Sequence, residues 1–115
     1  MQRACITAVE EGEDFLAQQV AQSRRGRDIV CSALREVPGV RFAEPDGAFY
    51  LFLSVDGAGD AVQTTRQMID DIAVGLAPGT AFGPGGEDFM RLCFACSGDL
   101  LEQAMERMVP WLQGR

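Results

Sequence analysis

Two stretches of this chain are apolar on both of the faces between which a β-strand alternates: residues 48–55 (AFYLFLSV) and residues 89–96 (FMRLCFAC). A strand with one wet face alternates apolar and polar residues, so AFYLFLSV is expected to be a central strand covered on both sides. Turn residues precede each stretch, Glu44-Pro45-Asp46-Gly47 before the first and the glycine-rich run 78–87 before the second. With 115 residues there is room for one domain, so residues 1–115 are expected to fold as a single unit.

Helical spacing surrounds these strands. Residues 2–10 read as a short helix interrupted near Gly12, and residues 13–37 as a long one with Glu13 and Asp14 favourably placed in its first turn. Pro38-Gly39 should end it. Residues 40–43 form a short strand candidate. Residues 60–73 read as a helix with Val62, Ile69 and Ile72 on its apolar side, followed by a short strand at 74–77. Ser97 can cap a last helix with Asp99 in its first turn. Leu100, Leu101, Ala104, Met105, Met108, Val109 and Leu112 form its amphipathic stripe, and Pro110 should kink or fray its end. The order predicts an α+β fold, a small sheet packed by helices with a long N-terminal and an amphipathic C-terminal helix.

Composition narrows the chemistry. Hydrophobic residues at 47% and charged residues at 23% describe a globular chain. A formal charge of −7 argues against nucleic acid as a partner, since phosphate contacts need clustered Lys or Arg. No apolar run is long enough for a bilayer, and the N-terminus lacks a signal-peptide pattern, so no membrane association and a cytoplasmic location are expected. All ten basic residues are Arg; there is no Lys and no His. The chain by itself has no Schiff-base lysine, no histidine base and no imidazole ligand, so no catalytic, cofactor-binding or metal-binding residue is assigned in it, and alone it is not expected to be active.

Cys5, Cys31, Cys93 and Cys96 are not spaced as two close pairs, as a zinc site usually requires. Cys93-x-x-Cys96 does not cap a helix as a redox motif does, and on a strand its thiols would point to opposite faces. All four are expected to be reduced, buried and structural. Carboxylate neighbours such as Glu10-Glu11, Glu13-Asp14 and Asp70-Asp71 do not face each other on a helix and make poor acid–base pairs. Gly83-Pro84-Gly85-Gly86 opens a strand rather than a helix, which fits a turn better than a phosphate cradle. Ser23-Arg24-Arg25-Gly26-Arg27 reads as a solvated helix face.

Arg91 stands apart. It is the one charge in FMRLCFAC, and a guanidinium placed there needs a partner. Either Glu87, Asp88 or another internal acid supplies it, or a ligand carboxylate does, matched by the planar fork of the arginine.

The motifs then line up with a family. Pro45-Asp46-Gly47-Ala48-Phe49-Tyr50-Leu51-Phe52 resembles the P-x-G-A-F-Y-x-F strand of fold-type I aminotransferases of the aspartate aminotransferase class (class I/II). Residues 74–83, VGLAPGTAFG, are similar to its V-x-x-x-P-G-x-x-F-G, residues 86–92 (GEDFMRL) to its G-E-x-x-x-R-L, and Arg24-Arg25-Gly26-Arg27-Asp28 to its R-R-x-R-D helix, with Gly26 where another residue is more usual. The likeness covers nearly the whole chain, and the four motifs come in the family's order.

The resemblance implies a C-terminal small domain that closes over pyridoxal 5′-phosphate held by a large domain absent from this chain, with the aldimine lysine upstream of Met1. It implies amino acid and 2-oxo acid substrates and a homodimer when complete. Arg91 matches the arginine that grips the substrate α-carboxylate, and Phe49 falls on the strand whose beginning faces the substrate pocket. The alternatives are a stand-alone, non-catalytic carboxylate-binding module, or the small domain of a related pyridoxal-phosphate lyase or synthase.

Overall fold

In the computed structural model, which describes residues 1–114, the last six residues of AFYLFLSV form strand β2 (Tyr50–Val55) of a four-stranded antiparallel sheet. The spatial order is β1 (Val40–Phe42), β2, β4 (Phe89–Cys93) and β3 (Ala77–Pro78). The two interior strands, β2 and β4, pair Tyr50 with Cys93, Leu51 with Leu92, Phe52 with Arg91, Leu53 with Met90 and Ser54 with Phe89. Helices α1 (Gln2–Glu11), α2 (Glu13–Arg35), α3 (Ala61–Ile72) and α4 (Gly98–Gln113) complete the α+β fold that the sequence predicts.

Side-chain alternation divides this sheet into two unlike faces. Leu51, Leu53, Met90 and Leu92 are buried in one cluster with Val30, Cys31 and Leu34 of α2, Met68 of α3, and Leu101, Met105, Met108 and Leu112 of α4. Each large side chain so enclosed contributes about 1.5–3 kcal/mol. The opposite face carries Phe52 and Phe89, which remain 39% and 37% exposed. The expectation that β2 is covered on both sides is corrected accordingly, because only the Leu51 and Leu53 face has a cover within this chain.

Three further differences have local causes. Helix α3 buries Ala61, Thr64, Thr65 and Met68, while Ile69 is 53% exposed, so its inward face is rotated from the expected Val62–Ile69–Ile72 side. Thr64 and Thr65 can turn inward because their hydroxyls donate to backbone carbonyls of Ala58, Asp60 and Val62. The strand expected at 74–77 is reduced to Ala77–Pro78, and β4 stops at Cys93 rather than Cys96. One more ladder-like bond follows, from the Phe94 amide to the Phe49 carbonyl at 2.9 Å, which ties the start of β2 to the end of β4.

The helix termini follow the sequence more closely. Asp60 caps α3 by accepting from the amides of Val62 and Gln63 at 2.8 and 3.0 Å, a motif worth about 1 kcal/mol. Ser97 sits at the N-cap of α4 without a side-chain bond, and α4 runs through Pro110 to Gln113. Gly26 explains its own presence in α2, since a Cβ there would lie 2.4 Å from the carbonyl oxygen of Phe94. The helix α1 buries nothing, and Ile6, Val9, Phe15, Leu16 and Val20 are exposed along it and the start of α2. This arm lengthens the molecule to 51 × 29 × 26 Å. The radius of gyration is 16.3 Å, against about 13 Å for a compact chain of this size.

Candidate functional site

Arg91 lies in mid-β4, opposite Phe52 on one side and Ala77 on the other, so it projects from the face that the helices leave open. Its guanidinium carbon is 4.1 Å from the ring centroid of Tyr50 and 4.0 Å from that of Phe82. Tyr50 comes from β2, and Phe82 from a 3-10 turn (Gly79–Phe82) that follows β3. Phe82 meets Phe52 edge-on at 5.6 Å, and Phe52 lies 6.3 Å from Phe89. Arg91 is therefore set in an aromatic bed at the middle of the open face.

No acid answers this charge among the described residues. The ion pairs there are Arg27 with Asp28 and Glu44, Arg35 with Glu44, and Arg41 with Asp56. Glu87 instead accepts from the Gly85 amide at 3.3 Å, within its own turn. The Arg91 Nε is enclosed and has no hydrogen-bond partner. Of the two partners left open for Arg91, an internal acid is thus absent from the described residues. A desolvated donor without an acceptor costs about 1–3 kcal/mol, so the fold holds this guanidinium in place without an internal partner to stabilise it.

Two glycines seat the turn that carries Phe82. A Cβ on Gly79 would fall 2.4 Å from the Gly86 carbonyl oxygen, and one on Gly86 would fall 2.3 Å from that of Gly79. The backbones at 79 and 86 touch directly, which folds the 78–87 segment back so that its aromatic ring lies over β4. This arrangement fits a turn rather than a phosphate cradle.

Phe49 stands just outside β2, after Ala48, whose φ of 58° places it in the left-handed region. Its ring packs on Tyr50 at 4.3 Å, and Tyr50 in turn lies against Arg91. Phe49 also lines a cavity of about 370 Å³ between α2 and the 45–49 turn, with Ser23, Arg24, Asp46 and Phe94. The two residues singled out from the sequence are thus linked through Tyr50, and Arg91 does not line this cavity. The residues missed are Tyr50 and Phe82. Both lie in the motifs already quoted, but only the β2–β4 and β3–β4 registers show that they converge on Arg91.

The cysteines differ from expectation in burial. All four are free thiols, yet Cys5 and Cys93 are exposed, Cys96 is half-buried, and only Cys31 is fully enclosed. The cause is that Cys93 projects from the uncovered sheet face and Cys5 from the unburied α1. Burial pushes the Cys31 thiol above its ordinary value, and nearby Glu44 pushes it further; burial does the same to Cys96. Among the described residues no three His, Cys, Asp or Glu side chains converge as a metal site, and no helix is long and apolar enough to cross a membrane.

No family model matches the chain. Individual proteins do. It is 33% identical over 117 residues to an aspartate aminotransferase of Pyrococcus horikoshii, covering 99% of this chain and 30% of that protein. It is 33% identical over 109 residues to an LL-diaminopimelate aminotransferase of Nitratidesulfovibrio vulgaris, covering 94% of this chain and 28% of that one. Its fold matches the crystal structure of an aromatic aminotransferase from Pyrococcus horikoshii with a TM-score of 0.85 at 32% identity, over 92% of this chain and 28% of the other. For the aspartate aminotransferase of Thermotoga maritima the TM-score is 0.82 at 34% identity, over 96% and 28%. The chain thus spans no more than 30% of the length of these curated relatives.

Proposed function

From the premise that this chain is an aminotransferase homologue over nearly its whole length, we propose that it is the small, C-terminal domain of a fold-type I aminotransferase. In that enzyme it supplies the arginine that holds the substrate α-carboxylate. The observation that carries this reading is Arg91 itself, a guanidinium on an open sheet face with an enclosed, unpaired Nε and no acid partner among the described residues.

Pyridoxal phosphate supplies the amino-transfer chemistry in this family. The chain contains no lysine to form a Schiff base with it, so its residues do not fit as the cofactor's own site. What they offer is orientation. A carboxylate gripped by two parallel N–H bonds loses its free rotation, and an amino acid so anchored presents its Cα–H in a fixed direction. The exposed aromatic side chains around Arg91 are suited to closing against a second surface and expelling water, which strengthens that grip. Amino acid and 2-oxo acid substrates, a large partner domain, a homodimer and a cytoplasmic location belong to the same proposal.

The test is amino-group transfer by the full-length protein supplied with pyridoxal phosphate. The expected result is stoichiometric conversion of an amino acid and a 2-oxo acid into the reciprocal pair. Consumption of the amino acid without conversion of the 2-oxo acid would overturn it in favour of a lyase or synthase, and carboxylate binding without turnover would favour a non-catalytic module.

A further inference from the structure

Arg91 has a long, flexible side chain, yet it is held from both flanks. Tyr50 reaches it from β2 and Phe82 from the turn beyond β3, so the two rings approach from opposite sides of β4. Each ring touches the guanidinium, and neither makes a ring contact with the other among the described residues. The Nε is enclosed and has no hydrogen-bond partner among the described residues, while the Arg91 side chain as a whole is only part-buried.

We infer that Phe82 and Tyr50 are positioning residues that clamp the Arg91 guanidinium between two rings, leaving only its terminal edge free to take a flat, two-oxygen anion. This rests on the proposal that Arg91 binds the substrate carboxylate, and it deepens that proposal into a specificity rule. Stacked rings hold the guanidinium plane through cation–π attraction, which is stronger where water is excluded. The rotamers that a free arginine would lose on binding are already fixed, so the affinity is not spent on ordering the side chain. An edge of two parallel N–H groups matches a planar carboxylate and is a poor match for a tetrahedral anion.

The experiment uses the full-length enzyme and steady-state kinetics with an amino acid donor, together with inhibition by a carboxylate substrate analogue and by its phosphonate counterpart. Phe82→Leu, which removes the ring and keeps an apolar side chain, is expected to raise the donor KM about tenfold with a smaller change in kcat. It should also narrow the preference for carboxylate over phosphonate. Phe82→Tyr and Tyr50→Phe keep the rings and should stay within about twofold of wild type, while Tyr50→Leu provides an independent arm should Phe82→Leu fail to fold. In an Arg91→Ala background, Phe82→Leu should have no further effect on KM.

Unchanged KM and unchanged selectivity in Phe82→Leu or Tyr50→Leu would overturn the clamp, and so would a full additional effect in the Arg91→Ala background, which would mean that the ring acts on substrate directly. The underlying carboxylate reading fails separately, through an Arg91→Ala variant with unaltered donor KM.

Discussion

Replacing Arg91 with Ala in the full-length protein is expected to lower kcat/KM for the amino donor by about a hundredfold or more. Truncating one partner of a desolvated, hydrogen-bonded charge pair costs about 2–5 kcal/mol, and each 1.4 kcal/mol is a factor of about ten. Arg91→Lys should recover little of this, because an ammonium keeps the charge but has neither the two-pronged edge nor the flat face that stacks on Tyr50 and Phe82. Stability should respond differently from activity. Arg91 has no ion pair to break among the described residues, and the variant also removes an enclosed, unpaired Nε. Denaturant titration of Arg91→Ala is therefore expected to show a loss of only about 1–2 kcal/mol, the contacts with Tyr50 and Phe82, smaller than the loss in activity. A variant that loses stability as heavily as it loses activity would instead mark Arg91 as a structural residue.

Gly86→Ala is expected to do the reverse and damage the fold first. The new methyl would sit 2.3 Å from the carbonyl oxygen and 2.5 Å from the carbonyl carbon of Gly79. These are backbone atoms, so no side chain can swing aside. Overpacking of this kind typically costs about 1–3 kcal/mol. Replacing glycine also stiffens the unfolded chain, which returns about 0.4–1 kcal/mol. The clash still wins, and unfolding should shift to lower denaturant. The displaced turn carries Phe82, so donor KM should rise as well. Gly79→Ala, whose methyl meets the Gly86 and Phe89 carbonyl oxygens at 2.4 and 2.7 Å, should behave alike. Wild-type stability and KM in both variants would contradict the account of how the turn is seated.

Much of the fold was legible because its signals are local. Ile29, Val30, Ala33, Leu34 and Val37 recur at helical spacing in the last turns of α2 and just past its end, and Val30, Leu34 and Val37 are buried. Pro38-Gly39 marks the end of that helix within a few residues. Asp60 starts α3 where its carboxylate satisfies two otherwise unpaired amides. What local pattern does not encode is the identity of the neighbour across space. The apolar character of Phe52 and Phe89 shows that their face avoids water, and the same character arises whether the cover comes from this chain or from another body. The inward face of α3 departs from the apolar pattern because Thr64 and Thr65 are polar in sequence, although local hydroxyl-to-carbonyl bonds make their burial inexpensive.

The candidate site shows the same division. Arg91 was identifiable as a charge without an excuse inside an apolar strand. Phe49 drew attention through its motif, but the next residue, Tyr50, is the one against the guanidinium. The register that places Tyr50 beside Cys93 and Phe52 beside Arg91 is a property of two strands about forty residues apart, and no spacing within either strand reveals it.

The most direct measurement compares an amino acid with the amine that lacks its carboxylate, as donors to wild-type and Arg91→Ala full-length enzyme. With the carboxylate gripped by Arg91, wild type should prefer the amino acid by about a hundredfold or more, and Arg91→Ala should lose most of that preference while using the amine as well as wild type does. An undiminished preference for the amino acid in Arg91→Ala would contradict the assignment of Arg91 as the carboxylate-binding residue.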